Sequence, residues 1–243
     1  MTATELPRDR DVWRIAAPMI LSNISVPLLG MVDTGVVGHL ESPVYLGAVA
    51  IGGTIFSFLY TGVNFLRMGT TGIAAQRFGA DDFDGLRVSL GQALVVAQII
   101  AFTVILLQWP LGQVAMKLLG AEAALREHAL EYFSIRVWSA PGTLANFVMI
   151  GWFLGLQNAR VPLLIFLTIN LTNIALDLLF VLVLGMKVDG VALASVFAEY
   201  TGLAVALFFA VRELRRNSGH WPMDKFVKLR EYAAFFAINA NLF

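Results

Sequence analysis

The sequence predicts an all-α integral membrane protein, a bundle of six spanning helices followed by the start of a seventh. Only 14% of the 243 residues are charged, against about 25% in soluble domains. Apolar runs of the roughly 20 residues that a helix needs to cross a ~30 Å hydrocarbon layer recur along the whole chain. Short polar connections such as GHLESP, QNARV and GMKVDG separate these runs, so sequential helices are predicted to be antiparallel.

The helices follow from these runs in chain order. The predicted spans are about residues 13–37, 44–72, 88–110, 132–156, 161–184 and 190–212. The first run lacks a small-residue cleavage site and follows a tail with three acidic residues, so we expect a retained helix and not a signal peptide. A seventh run opens near Arg230, and the roughly 21 Å that it reaches is short of a full crossing. The predicted divisions are a cytoplasmic tail (1–12), a six-helix lobe (13–212), a cytoplasmic linker (213–229) and the truncated start of helix seven (230–243).

The placement of lysine and arginine predicts the orientation of the chain. Twelve of these residues fall on the side of the N-terminal tail and four on the opposite side. Loops rich in lysine and arginine remain in the cytoplasm, so the N-terminus and the 211–230 loop are predicted to be cytoplasmic. We interpret that basic loop as topology-setting, in preference to a lipid- or nucleic-acid-binding patch.

Five ionisable side chains fall within or at the edge of the predicted spans, namely Asp33, Arg67, Arg136, Asp177 and Glu199. The two arginines lie near helix ends and are expected to reach the membrane surface. A lipid-facing carboxylate costs at least ~2.5 kcal/mol, so the three acids are predicted to face the bundle interior or a water-filled cavity. Such an acid serves either as a proton or cation site or as a permanently protonated group that donates one interhelical hydrogen bond.

Polar side chains follow one face of the fifth predicted span. Asn170, Asn173 and Asp177 stand at i, i+3 and i+7, which stacks them on one side of a helix. The sixth span carries Ser195 and Glu199 at the same kind of spacing, in a stripe of small and polar residues. Such a stripe of small and polar groups allows the sixth span to lie close to the fifth.

The first predicted span combines an acid with helix breakers. It holds Pro18, Pro27, Gly30 and Asp33, and each proline removes a backbone hydrogen bond and can bend the helix. Bending coupled to protonation of Asp33 is one interpretation, and a static break satisfied by neighbouring helices is the other.

Several other kinds of chemistry lack a motif. The sequence contains no phosphate-binding loop, no cysteine and no nucleophile elbow, and its three histidines lie far apart in predicted loops. Asp81, Asp82 and Asp84 form a D-x-D pattern that can bind magnesium, but we interpret it as a solvated turn.

Four segments carry a resemblance to a known family. They are AAPMILSNISVPLLGMVDTGVVGHL, GVNFLRMGTTGIAAQRFGADD, GWFLGLQNARVPL and NLTNIALDLLFVLVLGMKVDGVALASVFAEY. In order and spacing they resemble the multidrug and toxic compound extrusion (MATE) transporters, and within them the DNA-damage-inducible F (DinF) subgroup. The resemblance implies one six-helix lobe of a twelve-helix antiporter of the bacterial inner membrane, which exports cationic or amphipathic compounds in exchange for H+ or Na+ and needs no cofactor.

The resemblance also assigns expected roles by position. Asp33 matches the helix-one aspartate whose protonation is proposed to bend that helix, here at Pro18. Asn173 and Asp177 match the helix-five pair of the same coupling-ion site. Ser195 stands where some relatives have a threonine, Tyr132 falls near a polar position that lines the lobe, and Glu199 is typical of the subgroup without an assigned role. With Asn170, these last three are expected to line the cavity.

The length departs from the family pattern, because the second lobe and most of helix seven are missing. We expect a fragment or truncated gene product, with a homodimerising half-transporter as the alternative. The expected partners are the bilayer, a small cationic or amphipathic substrate and the missing C-terminal lobe, with no nucleic acid. Two other functions stay open: a flippase for lipids or lipid-linked precursors, and a membrane-embedded lipid-modifying enzyme that uses the Asp81–Asp84 turn.

Overall fold

The computed structural model describes residues 42–217 and 219–221, together with Ile20, Gly35, Val36 and Gly38. Within these residues the chain forms α-helices with short 3-10 and π segments and no strand. Helix labels count the described helices only. The helices are α1 (Pro43–Gly62), α2 (Phe65–Gly79), α3 (Phe83–Leu106), α4 (Gln108–Leu118), α5 (Ala123–Arg136), α6 (Ala140–Gly155), α7 (Arg160–Asp177) and α8 (Val188–Arg216).

The predicted all-α membrane class is confirmed. Five stretches in the described part of the chain are long and apolar enough to cross a bilayer: Pro43–Gly79, Phe83–Leu106, Ala123–Gly155, Arg160–Val183 and Val188–Arg216. They correspond to predicted spans two to six. The first predicted span lies outside the described residues apart from three of its positions, and the start of helix seven lies wholly outside them.

The second predicted span is a continuous apolar run in the sequence, but in the structure it is interrupted partway along its length. Gly62 ends α1 and Phe65 begins α2. At the break, the Val63 and Asn64 amides donate to carbonyls three residues earlier, at 3.3 and 3.2 Å, which is the tighter 3-10 pattern. Glycine and asparagine are weak helix formers, so the sequence lowers the cost of this break.

The connection between the third and fourth predicted spans is also more ordered than a loop. Leu107 separates α3 from the short helix α4, and α5 begins at Ala123, nine residues before the predicted start of the fourth span. His128, predicted in a loop, therefore lies within α5. A 3-10 turn, Val137–Ser139, then joins α5 to α6 within one continuous span.

Two apolar clusters form the interior of the lobe. One surrounds Trp152 and Phe153 of α6 and includes residues of α2, α3 and the C-terminal half of α8. The other surrounds Phe56 and Phe133 and includes residues of α1, α5 and the N-terminal part of α8. Tyr60 packs against both clusters, so this tyrosine marks the level at which they meet.

Small residues allow α6 to approach α2 closely. A Cβ added at Gly155 would lie 2.5 Å from the Ala74 Cβ and 2.8 Å from the Thr71 carbonyl oxygen, and one at Gly151 would overlap the Arg67 carbonyl. Small residues at such contacts are typical of membrane helix pairs, whose association depends on close van der Waals packing. This packing holds α6 closely against α2.

Candidate functional site

The polar stripe of α7 faces the interior of the lobe. Asn170, Asn173 and Asp177 are buried, with Asp177 fully inaccessible, while Leu171 is 64% exposed and faces away from the interior. The helical spacing predicted from the sequence therefore places the two amides and the carboxyl group on one buried face, as expected for polar groups within a membrane span.

Asn173 and Asp177 form a direct pair. The Asn173 Nδ2 donates to Asp177 Oδ2 at 3.0 Å, with both side chains buried. A donor in this position stabilises charge on the carboxylate, which lies where water is scarce. The amide of Asn170, one turn earlier, is buried and its Nδ2 has no hydrogen-bond partner among the described residues.

The helix changes form directly after the acid. Asp177 ends the α-helical part of α7, and Leu178–Val183 continue as a π-helix. The Leu184 amide accordingly donates to the Leu179 carbonyl five residues earlier, at 2.9 Å. π segments are rare and occur frequently at functional sites, so the irregular backbone marks the same place as the buried acid.

The facing stripe of α8 lies close to α7. Ser195 is buried and Glu199 is partly exposed. A Cβ added at Gly202 would overlap the side chain of Ile169 on α7, which shows that the two helices are in tight contact at this level. The two helices are therefore close at Gly202, but the residue that Gly202 meets, Ile169, is not one of the polar residues of the α7 stripe.

Glu199 belongs to a second polar cluster. The Asn146 Nδ2 of α6 donates both to the backbone carbonyl oxygen of Glu199 and to its Oε2, each at 2.9 Å. The side chain of Thr143 faces both Glu199 and Tyr60, but its buried hydroxyl makes no hydrogen bond of normal geometry among the described residues. The Tyr60 hydroxyl lies 3.3 Å from Ser139 Oγ.

Tyr132 and Arg136 of α5 extend this cluster towards the end of the lobe that the sequence predicts to be outside. Tyr132 is buried, and its hydroxyl accepts a hydrogen bond from Arg136. The guanidinium of Arg136 also lies over the ring of Phe56, 5.2 Å from its centroid. Arg136 therefore packs against aromatic rings within the bundle, whereas the sequence predicted only that it reaches the membrane surface.

The polar residues of α5 and α6 were missed as a group by the sequence reading. Their spacing was available as a signal, because it alternates between four and three residues and places them on one helical face. The group consists of Tyr132, Arg136, Ser139, Thr143 and Asn146. A 3-10 turn interrupts the α-helix within this group. Hydropathy alone shows only one apolar span with scattered polar residues.

Two predicted site residues, Asp33 and Pro18, lie outside the described residues. Their roles in the coupling-ion site therefore stay as predictions from the resemblance. The structure brings Asn173 to Asp177 and Asn146 to Glu199.

The acidic turn between α2 and α3 is occupied by structural contacts. Asp82 Oδ1 accepts from the Gly85 amide at 2.9 Å and so caps α3, while its Oδ2 pairs with Arg77 at 2.6 Å. Asp84 Oδ1 accepts from the His220 amide at 2.6 Å. These bonds give both carboxylates a local role and favour the interpretation as a turn. Within residues 42–217 and 219–221, no group of three or more histidine and acidic side chains is arranged to hold a metal ion.

Comparisons with known proteins place these features in context. The MatE family profile matches residues 18–179. The chain is 42% identical to the DNA damage-inducible protein F of Escherichia coli over 234 residues, covering 96% of this chain and 51% of that protein. It is 27% identical to the multidrug resistance protein MdtK of Cronobacter sakazakii over 216 residues, covering 86% of this chain and 46% of that protein.

A solved structure shows the same arrangement of helices. The outward-facing conformation of a multidrug resistance MATE family transporter of the MOP superfamily superposes with a TM-score of 0.76 at 26% identity, covering 86% of this chain and 48% of that one. This chain spans about half the length of the curated relatives that it matches.

Proposed function

Because the chain belongs to the MatE family, we propose that it forms the N-terminal lobe of a secondary active antiporter. In this proposal the complete transporter exports cationic or amphipathic compounds in exchange for H+ or Na+ across a bacterial inner membrane. Support for the class of cargo comes from the multidrug resistance proteins that this chain resembles.

The observation that carries the proposal is the buried pair of Asn173 and Asp177 at the junction of an α-helix and a π-helix. An acid within a membrane span is costly unless it binds a cation, a proton or a fixed partner. The Asn173 amide holds one carboxylate oxygen. We propose that Asp177, with Asn173 and Asp33, binds the coupling ion, and that Pro18 is the point at which helix one bends.

The remaining polar residues of the interior would complete the cavity. Asn170, Ser195 and Tyr132 are buried and Glu199 is partly exposed, and we propose that all four line the space around the coupling-ion site. Neutralising Asp33 and Asp177 would remove the charge that attracts a cationic substrate. Binding of the coupling ion would in this way promote release of substrate, which is the exchange that an antiporter requires.

The proposed domain arrangement follows the sequence divisions. Residues 13–212 form the lobe, 213–229 the inter-lobe linker and 230–243 the start of helix seven, with the N-terminus and the linker in the cytoplasm. The last helix of the lobe, α8, continues to Arg216, four residues beyond the predicted end of the sixth span.

Transport in everted membrane vesicles tests this proposal. The cells express the chain either alone or joined to the C-terminal half of the Escherichia coli relative, and the vesicles are given ethidium under an imposed proton or sodium gradient. We expect gradient-driven uptake to require the joined form and to fall to the level of empty vesicles in Asp177→Asn. The matched control is Asp189→Asn, which changes an acid that accepts a backbone hydrogen bond at the start of α8.

Each arm has a distinct outcome. The gradient that drives uptake identifies the coupling ion. Full uptake by Asp177→Asn, with protein levels equal to those of the control variant, would contradict the assignment of Asp177 as a coupling residue.

A further inference from the structure

A polar cavity of about 470 Å³ opens at the end of the lobe where α7 begins. It lies between the C-terminal end of α2, the turn that joins α6 to α7, and the last turn of α8, and its lining includes Arg160 and Arg216. Arg160 begins and Asp177 ends α7, an 18-residue helix that is about 27 Å long. The cavity is therefore separate from the proposed coupling-ion site.

The turn between α6 and α7 is held by its own hydrogen bonds. The Asn158 amide donates to the Phe153 carbonyl at 2.9 Å, and Gln157 has a left-handed backbone with φ of 57°, as is common where a helix ends. Asn158 Oδ1 accepts from the backbone amides of Arg160 and Val161. These donors fix the orientation of the Asn158 side chain, so its Nδ2 remains a donor without a partner among the described residues.

The two arginines of the cavity have no counter-ion among the described residues. Arg160 and Arg216 are exposed, and their guanidinium groups form no ion pair or hydrogen bond within the described part of the chain. The acid in the lining, Glu213, accepts a hydrogen bond from Asn217 Nδ2 at 3.1 Å instead. Two guanidinium groups and one carboxylate leave the cavity with a net positive charge and an excess of donors.

We propose that this cavity binds the phosphate group of an anionic lipid headgroup. A guanidinium can donate two parallel hydrogen bonds to phosphate oxygens, and the side chains of Gln157 and Asn158 add neutral donors. A phosphate bound by both Arg160 and Arg216 would connect the α6–α7 turn to the end of α8. The proposal goes beyond the coupling-ion site and does not depend on the proposed transport function.

The position of the cavity favours a lipid as the source of the phosphate. Around it α2 and α6 end, α7 begins and α8 ends, so it lies where the spans reach the membrane surface. The placement of lysine and arginine predicts that this surface is cytoplasmic, and anionic lipids there attract basic groups. Phe78 and Leu156 add apolar surface to the lining, which suits the glycerol backbone next to the phosphate.

The interpretation of the basic 211–230 loop as topology-setting is unaffected. Among the described arginines of that loop, Arg216 alone lines the cavity. Its partner in the proposed site, Arg160, belongs to a different connection of the chain, so the site exists only in the folded lobe.

Native mass spectrometry of the chain in detergent, titrated with phosphatidylglycerol, measures this binding. The double variant Arg160→Gln with Arg216→Gln should bind this lipid at least about tenfold more weakly than the wild type, because both charged donor pairs are lost. The matched control, Arg212→Gln with Arg215→Gln, removes the same charge from exposed positions of α8 outside the cavity. At about 0.15 M salt it should weaken binding no more than about threefold, since exposed charges are screened.

Two further variants separate charge from geometry. Arg160→Lys with Arg216→Lys keeps both charges but loses the paired donors of the guanidinium, so binding should be weaker than in the wild type. Glu213→Gln removes the carboxylate that repels the phosphate and keeps an oxygen that can accept from Asn217. It should bind phosphatidylglycerol more tightly than the wild type.

Thermal unfolding gives a second readout and checks the fold of the variants. A lipid that binds the folded state raises the unfolding temperature, so phosphatidylglycerol should stabilise the wild type and the control more than Arg160→Gln with Arg216→Gln. Without lipid all three should unfold at similar temperatures, because these arginines have no bonds to described residues to lose.

Three outcomes would overturn the proposal. Equal binding of phosphatidylglycerol by the cavity variant and the control would show that diffuse charge, and not the cavity, attracts the lipid. Phosphatidylcholine binding as tightly as phosphatidylglycerol would contradict recognition of an anionic headgroup. Displacement of phosphatidylglycerol by inorganic phosphate would show that the cavity takes a soluble anion. Each of these results would leave the assignment of Asp177 intact.

Discussion

Arg87 holds the end of α8 against the start of α3, and its replacement tests how the linker is attached to the lobe. The side chain is buried, and its NH2 group donates to the carbonyl oxygens of Leu214 and Asn217 at 2.6 and 2.7 Å. These bonds cap the C-terminal end of α8, where helix carbonyls lack intrahelical partners. A positive charge there also complements the helix dipole.

The magnitude follows from the number and kind of bonds lost in Arg87→Met. Hydrogen bonds from a charged group contribute about 1.5–3 kcal/mol each, so the two to the end of α8 give about 3–6 kcal/mol as an upper range. A third bond, from Arg87 NH1 to the Phe83 carbonyl oxygen at 3.1 Å, lies within α3 and does not hold the two helices together. Water at the membrane surface can replace part of the lost hydrogen bonding, and the methionine keeps most of the apolar contacts of the arginine stem. We therefore expect a loss of about 3 kcal/mol, which corresponds to about a hundredfold change in a local opening equilibrium.

Hydrogen exchange and detergent-induced unfolding measure this effect. The reporting amides are those of Asn217 and His220, which donate to the Glu213 carbonyl and to Asp84 Oδ1. We expect both to exchange about a hundredfold faster in Arg87→Met. The matched control is Arg77→Met, which removes an exposed ion pair with Asp82 and should cost at most about 1 kcal/mol. Equal exchange in the two variants would refute the claim that Arg87 anchors the linker.

Two further predictions concern packing and capping. Gly155→Ala places a methyl group against the backbone of α2 and should destabilise the lobe by about 1–3 kcal/mol. The control is Gly72→Ala on α2, where a Cβ meets nothing within 4 Å, and it should be neutral or stabilising by up to about 1 kcal/mol. The unfolding midpoint in detergent measures both variants, and equal effects would contradict the close approach of α6 to α2. Asp82→Ala removes the cap of α3 and the partner of Arg77 and should lower the free energy of unfolding by about 1 kcal/mol. No activity of the protein should depend on magnesium. The control is Asp81→Asn, at a positive φ of 53° that asparagine tolerates.

The sequence predicted the fold class because hydropathy and charge act along the chain. Apolar runs of membrane length give the spans, and every predicted span from the second to the sixth corresponds to a stretch of the structure long and apolar enough to cross a membrane. Helical periodicity likewise predicts the buried face of α7, since three polar residues at i, i+3 and i+7 must share one side of a helix. Asn173 and Asp177 form their hydrogen bond within a single helix, so no tertiary information was needed to pair them.

The contacts between helices could not be obtained in this way. Asn146 and Glu199 are 53 residues apart and Tyr60 and Ser139 are 79 residues apart, and a single sequence gives no sign that they meet. The backbone irregularities were missed for a related reason. A break without proline, a 3-10 turn and a π segment each depend on how neighbouring helices satisfy the freed backbone groups.

The sequence by itself therefore determined that this chain crosses the membrane repeatedly and carries acids within its spans, because a bilayer excludes unpaired polar groups from any lipid-facing position. The tertiary structure decided which polar groups those acids meet. It gave Asp177 an amide from its own helix and Glu199 an amide from α6, and it made Arg87 the cap of α8. Such partners are fixed by the packing of helices distant in sequence, through close contacts that depend on individual small residues.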